Sequence, residues 1–454
     1  MSYVGFIKSK GKQAEGSGIH GVTPPDWLYD FQKTLTTWAL SQGRSAIFAD
    51  CGLGKTAMQL AWAAEIVRRY NKPSLILTPL AVGAQTVREA EKFGVSACRI
   101  RQGGEPPSGY DVVVSNYEQM HKMNPGDYCA VVCDESGCIK DFKSKRRDVV
   151  TSFLKTIPFR LLCTATPSPN DFHELGTSSE ALGMLGFRDM VTKFFKQETQ
   201  LDQHGWGRTK YRFRGHAEQP FWKWVCSWAR AVRMPSDVGG SDEGYLLPKL
   251  DEREIIVDCK KTRPGMLFAL PGKTLNEQRA ERRNSINERC DKAAEILSGV
   301  DTPAVSWCEL NSEGDLLESM IDGARQVKGA MTDEEKEELL LAFTDGQIDR
   351  LVIKPKIGAW GLNWQHCSDM TIFPSHSYEQ YYQAVRRCYR FGQDRNVVVS
   401  NIVNEGEAGV LQSIRRKSDQ AAEMFKSVVR HMNDSMHLVN SDCFNSKEEI
   451  PSWL

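Results

Sequence analysis

The feature that most constrains the fold is a repeated pattern of short apolar runs, separated by longer segments with helical spacing. A first series comprises SAIFA (45–49), SLILT (74–78), DVVVS (111–115), AVVC (130–133) and RLLCT (160–164). A second series comprises EIIVD (254–258), AVSWC (304–308), RLVIK (350–354), MTIF (370–373) and VVVSNI (397–402). Near-continuous Val, Ile and Leu runs are typical of parallel strands that are covered on both faces. The pattern therefore predicts two parallel sheets.

The segments between these runs predict helical crossovers. After the first run, apolar residues recur at helical spacing, at Ala57, Leu60, Ala61, Ala64 and Val67. Strands that alternate with helices in this way give a doubly wound α/β fold. We therefore predict fold class α/β, with two doubly wound parallel-sheet lobes and an aromatic and basic insertion between them. The predicted boundaries are an N-terminal tail (1–24), a first lobe (25–170), a helical and hairpin insertion attached to that lobe (171–249), a second lobe (250–433) and a C-terminal tail (434–454).

The overall charge indicates no polyanionic partner, because 58 basic side chains balance 58 acidic ones. Any nucleic-acid contact must therefore come from local patches. No apolar run approaches the length of a membrane span and the N-terminus lacks the apolar core of a signal peptide, so we expect a cytoplasmic protein with no membrane partner. Cys129, Cys133, Cys138 and His121 lie close in sequence, but Cys133 ends an apolar run. We therefore predict structural thiols and no zinc.

The stretch FADCGLGKT ends like a phosphate-binding loop, although Ala49 stands where the usual string G-x-x-x-x-G-K-[ST] has its first glycine. It follows the predicted strand SAIFA and precedes a predicted helix, which is where such a loop must lie. Gly52 and Gly54 would let backbone N–H groups face a phosphate, Lys55 would reach the outer phosphates, and Thr56 would ligate Mg²⁺. The sequence therefore predicts an ATP site with Mg²⁺ as cofactor.

Two further elements complete a site of this kind. The run AVVCDE ends in two carboxylates, of which Asp134 is expected to bind Mg²⁺ and Glu135 to deprotonate the attacking water. In SYEQYYQAVRRCYRFGQ, Gln383, Arg387 and Arg390 are spaced four and three apart, so one continuous helix would place them on one face. Arginines that reach the outer phosphate from another lobe would stabilise transferred charge. We therefore predict Lys55, Asp134, Glu135, Arg387 and Arg390 as catalytic residues.

Over about residues 28–403 the chain resembles the superfamily 2 helicases, and most closely the SWI/SNF-type ATPases. The matching segments are LYDFQ, ADCGLGKT, LTPLAVGAQTVRE, VVVSNYE, DESGCIK, LLCTATPSPND, KIGAWGLNW and QAVRRCYRFGQ. The resemblance implies two RecA-like lobes, adenine recognition by Gln32, and ATP binding by Gly361 and Gln383 besides the loop residues. In the first of these lobes, LTPLAVGAQTVRE resembles the first motif that contacts nucleic acid. Lys140 stands at the lysine position typical of the SWI/SNF branch.

The sequence departs from this family's pattern at three places. Ser136-Gly137 replaces Ala-His after the acidic pair, Trp360 is bulky in a motif of small residues, and Arg386 replaces an acid. None of these changes removes a catalytic group. They put in question how hydrolysis is coupled to a nucleic-acid track.

Two basic segments are candidates for contact with that track. In WGRTKYRFRG, a strand would point Arg208, Lys210, Arg212 and Arg214 to one face, where four cations in a row would follow a phosphate backbone. A solvated strand or hairpin is the equally weighted alternative. The second segment is KDFKSKRR, after the acidic pair, where the resemblance implies that Lys140 and Lys143 face the cleft.

Two other segments are better explained by packing or solvation. Phe221, Trp224, Val225 and Trp228 form an amphipathic stripe that predicts a core-facing helix rather than base stacking. The charged run 273–292 mixes signs and predicts an exposed helix with intrahelical ion pairs.

The leading functional hypothesis is an ATP-driven motor that translocates on DNA, with duplex DNA favoured over RNA. A strand-separating DNA or RNA helicase is the alternative within the same class. A nucleotide-dependent switch that acts on a protein partner is the alternative from another class, whereas an unrelated P-loop kinase is disfavoured by the two-lobe layout. By resemblance, so compact a motor would suit a bacterium or a bacteriophage.

Overall fold

The computed structural model describes residues 18–142, 144–168, 171–201, 207–258, 275–358 and 363–440. The elements up to residue 249 are α1 Asp30–Gln42, β1 Arg44–Ala49, α2 Lys55–Tyr70, β2 Ser74–Thr78, α3 Gly83–Lys92, β3 Ala97–Arg99, β4 Val112–Asn116, β5 Ala130–Asp134, α4 Lys145–Lys155, β6 Phe159–Cys163, α5 Leu175–Leu182, α6 Phe187–Phe194, β7 Phe195–Leu201, β8 Gly207–Phe213, α7 Glu218–Cys226 and β9 Ala229–Val232. Short 3₁₀ helices cover Leu80–Val82, Tyr117–Lys122, Pro125–Asp127, Ser136–Ile139, Phe172–Glu174 and Pro235–Val238.

The first lobe is built on a seven-stranded sheet in the order β3-β4-β2-β5-β6-β1-β9, and every pairing in it is parallel. Strands β2, β4 and β5 are buried along their whole length because helices cover both faces of the sheet. Cys133 lies in this buried interior, as predicted. The carboxyl ends of β1, β2, β4, β5 and β6 meet at one edge, where the sequence motifs gather.

The second lobe follows the same plan. Its elements are β10 Leu250–Val257, α8 Leu275–Asn284, α9 Ile286–Ser298, β11 Ala304–Trp307, α10 Asn311–Met320, β12 Ala324–Val327, α11 Asp333–Thr344, β13 Arg350–Ile353, α12 Pro355–Gly358, β14 Asp369–Ile372, α13 Tyr378–Cys388, β15 Val397–Asn404, the 3₁₀ turn Glu405–Glu407 and α14 Ala408–Asn440. The six strands are ordered β10-β15-β14-β11-β13-β12 and all pair in parallel. The predicted α/β fold with two parallel-sheet lobes is confirmed.

The segment 171–249 is less separate from the first lobe than its predicted boundaries suggest. Its strand β9 pairs with β1 and completes the first sheet, so the added part ends before Ala229. The sequence ARAV gave a weak strand signal because an arginine interrupts its apolar residues. Before β9, the hairpin β7–β8 lies over an aromatic cluster in which Phe213 packs against Phe195 and Phe221. The predicted core-facing helix is present as α7, which buries Phe221 and Val225, whereas the buried Trp228 lies beyond its end at Cys226.

The charged run 273–292 is not the single exposed helix that its sequence predicts. Within the described residues it forms α8 and the start of α9, which meet at Ser285. Arg289 is fully buried and donates to a Glu313 carboxylate oxygen at 2.6 Å, while its guanidinium lies 4.7 Å from the Phe373 ring centre. A buried, paired arginine is indistinguishable in sequence from a solvated one, which explains the error.

One helix joins the two lobes. The first turns of α14 pack against Tyr378 of the second lobe, through Val410 and Ile414. Its later turns enter the core of the first lobe, where Phe425 and Val428 are buried. No helix in the part of the chain that the structure describes is long and apolar enough to cross a membrane.

Candidate active site

The phosphate-binding loop predicted from the sequence connects β1 to α2 at the carboxyl edge of the first sheet. Gly52 has φ +90° and Gly54 has φ +73°, a region in which side chains cause strain. Space is restricted as well: a Cβ on Gly52 would lie 2.8 Å from the Phe391 nitrogen of the second lobe, and one on Gly54 would lie 2.3 Å from Gln32 Nε2. These glycines supply the turns that the usual first glycine would otherwise help to make.

Lys55 opens α2 and points back into the loop. Its Nζ donates to the carbonyl oxygens of Ala49 at 3.0 Å and Asp50 at 3.4 Å. Burial opposes the charge of Lys55, but the nearby Cys51 and Glu135 outweigh it, so its pKa is raised. The ammonium group is therefore held charged at the mouth of the loop, with the half-buried Thr56 next to it in the first turn.

Gln32 contacts the same loop from α1. Its Nε2 donates to the Leu53 carbonyl at 3.0 Å, and its Oε1 accepts from the Tyr29 backbone at 3.1 Å. The buried Gln32 side-chain amide thus holds the phosphate-binding loop against α1. Adenine recognition by Gln32 stays a prediction.

The acidic pair lies at the end of β5, beside the loop. Gln59 Nε2 donates to Asp134 Oδ1 at 2.7 Å, and Tyr117 donates to the Asp134 carbonyl at 2.7 Å. Burial, and then the charge of Glu135, raises the pKa of Asp134 to about 7. Two carboxylates held together in a buried place favour a cation beside them, and Mg²⁺ binding by Thr56 and Asp134 stays a prediction.

Glu135 has an unusual backbone. Its φ of +49° and ψ of +51° are left-handed, a conformation that costs a non-glycine residue about 1–3 kcal/mol. Thr164 Oγ1 donates to its carboxylate at 3.2 Å, and Gln383 Nε2 from the second lobe donates at 3.5 Å. The strained turn therefore aims the carboxylate into the space between the lobes. The residue types in the sequence DES do not predict this left-handed conformation.

Gln383 and Arg387 occupy one turn of α13 and face that carboxylate. Arg387 Nη2 donates to Gln383 Oε1 at 2.9 Å, and the Cys51 thiol of the loop lies 3.9 Å from the same oxygen. Burial lowers the pKa of Arg387, since its surroundings solvate the cation poorly. Gln383 and Arg387 therefore lie beside the phosphate-binding loop, and their roles in binding and hydrolysing ATP stay predictions.

Arg390 is placed differently from the prediction. Helix α13 ends at Cys388, so Arg390 does not share a helical face with Gln383 and Arg387. The chain turns there because Gln393 Nε2 holds the carbonyls of Cys388 and Cys367, each at 3.1 Å. Burial, then repulsion from Arg387, lowers the pKa of Arg390 to about 10. Two arginines that repel each other beside the loop, Arg387 buried and Arg390 half-buried, favour an anion with more than one charge.

Arg386, which sequence reasoning treated only as a departure, contributes a third contact between the lobes. It forms an ion pair with Asp50 of the loop, and Tyr382 donates to the same carboxylate. The guanidinium also donates to the Tyr389 carbonyl at 3.2 Å and lies 5.4 Å from the ring centres of Tyr382 and Tyr389. Burial opposes its charge, but Asp50 prevails and raises the pKa of Arg386.

A cavity of about 480 Å³ adjoins the loop between the lobes. Gly52 and Leu53 line it from the first lobe, and Arg386 and Phe391 from the second. Phe391 stacks on Tyr245 with ring centres 4.7 Å apart. The lining of this cavity combines aromatic rings, such as Tyr245 and Phe391, with the ion-paired side chains of Asp50 and Arg386.

The residues predicted to contact nucleic acid near the acidic pair are only partly described. Lys140 forms an ion pair with Glu379 of α13, and burial lowers the pKa of Lys140 to about 8. The structure therefore gives Lys140 a partner in the other lobe. Lys143, and also Gly361 of the predicted ATP site, lie outside the described residues.

The predicted basic strand is β8. In its Cα register with β7, Lys196 pairs with Arg212, Glu198 with Lys210 and Gln200 with Arg208, and the side chains of Lys196, Glu198, Lys210 and Arg212 share one face. Glu198 Oε1 lies 2.9 Å from Lys196 Nζ, and Glu198 Oε2 lies 3.0 Å from Arg212 Nε. Lys210 is exposed.

The other face of the hairpin packs inward, through Tyr211 on His173 at 4.2 Å between ring centres. Arg214 follows the strand and donates to the Phe195 carbonyl at 2.7 Å. Of the four cations predicted to form one row, Lys210 and Arg212 are exposed on β8, whereas Arg214 lies beyond the end of the strand. Lys196 joins the row, and Glu198 neutralises part of it.

The fold and the site together define a class of architecture. Two parallel-sheet lobes face each other, one with a phosphate-binding loop and an acidic strand end, the other with arginines that follow a helix. This is the arrangement of a two-lobed nucleotide-binding protein of the helicase type.

Comparison with known proteins agrees with that class. Residues 299–392 match the family described as the helicase conserved C-terminal domain. YwqA of Bacillus subtilis, named as an ATP-dependent helicase/translocase, is 21% identical over 87% of this chain and 48% of its own length. The SWI/SNF chromatin-remodeling complex subunit snf22 of Schizosaccharomyces pombe is 28% identical over 41% of this chain and 12% of its own.

A third relative is human. The SWI/SNF-related matrix-associated actin-dependent regulator of chromatin subfamily A member 1 is 30% identical over 33% of this chain and 16% of its own length. The chain thus spans less than half the length of each of these relatives. The resemblance to superfamily 2 helicases of the SWI/SNF branch, predicted from the motifs, is confirmed.

Proposed function

We propose that the protein is an ATPase that uses hydrolysis between its two lobes to translocate on DNA, with duplex DNA as the favoured track. The observation that carries the proposal is the shared site: the Glu135 carboxylate of the first lobe accepts from Gln383 of the second, which also binds Arg387. A site completed by both lobes makes hydrolysis depend on their relative position.

In this proposal ATP lies between the lobes. The residues that would bind it are Gln32, Gly52, Gly54, Lys55, Thr56, Gly361 and Gln383. Mg²⁺, held by Thr56 and Asp134, would neutralise phosphate charge. Glu135 would accept the proton of the attacking water, while Arg387 and Arg390 would stabilise charge on the outer phosphate.

Loss of ADP and phosphate would leave Arg387 and Arg390 without the phosphate and weaken the contact between the lobes. Repeated closing and opening would then advance the protein along one strand, which requires no strand separation. The matched relatives are named for chromatin remodeling and for helicase or translocase activity, and these names support a nucleic-acid track. The exposed face of the β7–β8 hairpin supplies cations for phosphate contact through Lys210 and Arg212, and the contact predicted for Arg208 stays a prediction. Lys140 is already paired with Glu379, so the geometry gives no support for a phosphate contact there.

The test is the steady-state ATPase rate without nucleic acid, and with single-stranded DNA, duplex DNA or RNA. We expect duplex DNA to give the largest stimulation. Lys55→Ala and Glu135→Gln should lower the rate about 10²- to 10⁴-fold, the usual contribution of a positioned catalytic group. Lys92→Ala and Glu91→Gln, at the last two positions of α3, both exposed, are controls of matched charge and should leave the rate unchanged.

The outcomes separate the alternatives. Stimulation by single strands together with release of a labelled strand from a partial duplex would indicate a separating helicase. Hydrolysis that no nucleic acid stimulates would defeat the motor proposal and favour the switch that acts on a protein.

A further inference from the structure

Four charged side chains that are not part of the proposed nucleotide site also connect the lobes. Arg99, at the end of β3, donates to both carboxylate oxygens of Glu337, at 2.9 and 3.2 Å. Arg101 donates to Glu337 at 3.1 Å and to Glu334 at 3.2 Å. Both glutamates lie one turn apart on α11 of the second lobe. We call this group the arginine–glutamate bridge.

Arg99 is held in place by the first lobe itself. Its Nη2 donates to the Leu80 carbonyl at 3.0 Å, and a Cβ on Gly83 would lie only 2.9 Å from Arg99 Nε. The guanidinium therefore lies against the start of α3, in the segment LTPLAVGAQTVRE that resembles a nucleic-acid-contacting motif. Arg101 is the outer member of the pair, with half of its side chain exposed.

The bridge borders an open cleft. A cavity of about 530 Å³ between the lobes is lined by Leu80 and Asn116 on one side and by Lys336, Glu337 and Lys356 on the other. The first turn of α11 carries three acidic residues in sequence, Asp333–Glu335. The second lobe thus presents carboxylates to the arginines of the first, at a cleft edge where a nucleic-acid backbone would bring phosphates.

We propose that Arg99 and Arg101 are phosphate-binding residues, and that Glu334 and Glu337 occupy their phosphate positions until a nucleic-acid backbone displaces them. The proposal rests on the function proposed above. A guanidinium binds a carboxylate and a phosphate through the same two-pronged geometry, so the two anions compete for the same donors. Helix α11 then acts as an acidic gate over the track.

A plain structural role makes a different prediction. If the bridge only holds the lobes together, removing its acids or its bases has the same effect, because either change breaks the same contacts. If the acids compete with phosphate, the two changes act in opposite directions on nucleic-acid affinity. The sign of the effect decides between them.

The experiment measures binding of one duplex DNA at several salt concentrations, without nucleotide. Glu334→Gln/Glu337→Gln should raise affinity roughly two- to tenfold, the scale of one or two exposed ion pairs. Arg99→Gln/Arg101→Gln should lower affinity and reduce the slope of log K against log salt by about 2, as expected for two lost phosphate contacts. Charge-matched controls at exposed positions are Glu295→Gln/Glu338→Gln and Arg69→Gln/Arg325→Gln.

The milder single variants Glu334→Gln and Arg101→Gln guard against misfolding, since these side chains are 71% and 50% exposed. They should show the same opposite signs. The acidic gate would be overturned if the glutamate and arginine variants changed DNA affinity with the same sign. Changes in affinity no larger than those of the controls would also overturn it. If the unaltered protein neither binds nucleic acid nor hydrolyses ATP faster with it, the proposed motor fails first, and the gate fails with it.

Discussion

At the scale of single residues, Arg386 shows how a side chain gains a role from a partner that is remote in sequence. It stands in the family motif at a position where an acid is usual, and the carboxylate that it contacts is Asp50 of the phosphate-binding loop. The positive charge of Arg386, at a position where the motif has an acid, is thus paired with Asp50 across the cleft. The ion pair is well placed to hold the loop, since Asp50 also accepts from Tyr382.

We expect Asp50→Asn and Arg386→Gln each to reduce the ATPase rate, because either change leaves a largely buried charge without its partner. The double variant should lose less than the sum of the two, with a coupling energy of about 0.5–3 kcal/mol. Steady-state kinetics of the four proteins give that number, and the exposed Arg416→Gln serves as the control. Strictly additive losses would show that the pair does not act as a unit.

At the scale of elements, the β7–β8 hairpin combines an aromatic underside with a basic outer face. The underside is buried against the first lobe, so substitutions on the outer face leave the packing of the hairpin intact. Glu198 is the one acid among the described residues of that face that contacts its cations, at Lys196 and Arg212. The face is therefore suited to a phosphate backbone only through the cations that remain exposed.

Reversal of two of these charges, in Lys210→Glu/Arg212→Glu, should weaken DNA binding and lower the salt slope by about 2. The measurement is a salt titration of duplex binding, with Lys193→Glu/Lys223→Glu as a double reversal at exposed positions of α6 and α7. If affinity and slope match those of this control, the hairpin is a solvated face.

At the scale of the whole molecule, α14 makes the two lobes one unit. It leaves the second lobe and buries Phe425 and Val428 in the first, where the Arg233 guanidinium lies 4.8 Å from the Phe425 ring centre. Any opening of the cleft must therefore bend this helix or carry it along. The stability of the first lobe is coupled in this way to the position of the second.

Phe425→Ala should lower the free energy of unfolding by about 3–5 kcal/mol, the usual loss for a buried phenylalanine. It should also lower the ATPase rate, because the lobes lose a shared core. Denaturant unfolding and ATPase assays on one preparation test both, with Lys426→Ala, on a side chain that is 73% exposed, as the control. A stability loss with an unchanged rate would confine α14 to a structural role.

The sequence alone predicted the fold and the parts of the site that are local. Continuous apolar runs predicted buried parallel strands, because only strands covered on both faces can dispense with polar alternation. The order of strand, glycine loop and helix predicted the phosphate-binding loop, because backbone N–H groups at a helix N-terminus face an anion. Its positions Gly52, Gly54 and Lys55 are those that local geometry requires. The short strands β3, β9 and β12 were missed, since neighbouring strands rather than apolar content stabilise them.

Only the tertiary structure decided which residues meet across the cleft. Arg386 contacts Asp50 from 336 positions away, and Gln383 contacts Glu135 from 248 positions away. Arg289 is charged in the sequence and buried in the fold, and Arg390 leaves its helix where Gln393 ends it. The physical reason is the same in each case. A strand or a turn depends on neighbours along the chain, whereas an ion pair or a buried charge depends on groups that the folding of both lobes alone brings within reach.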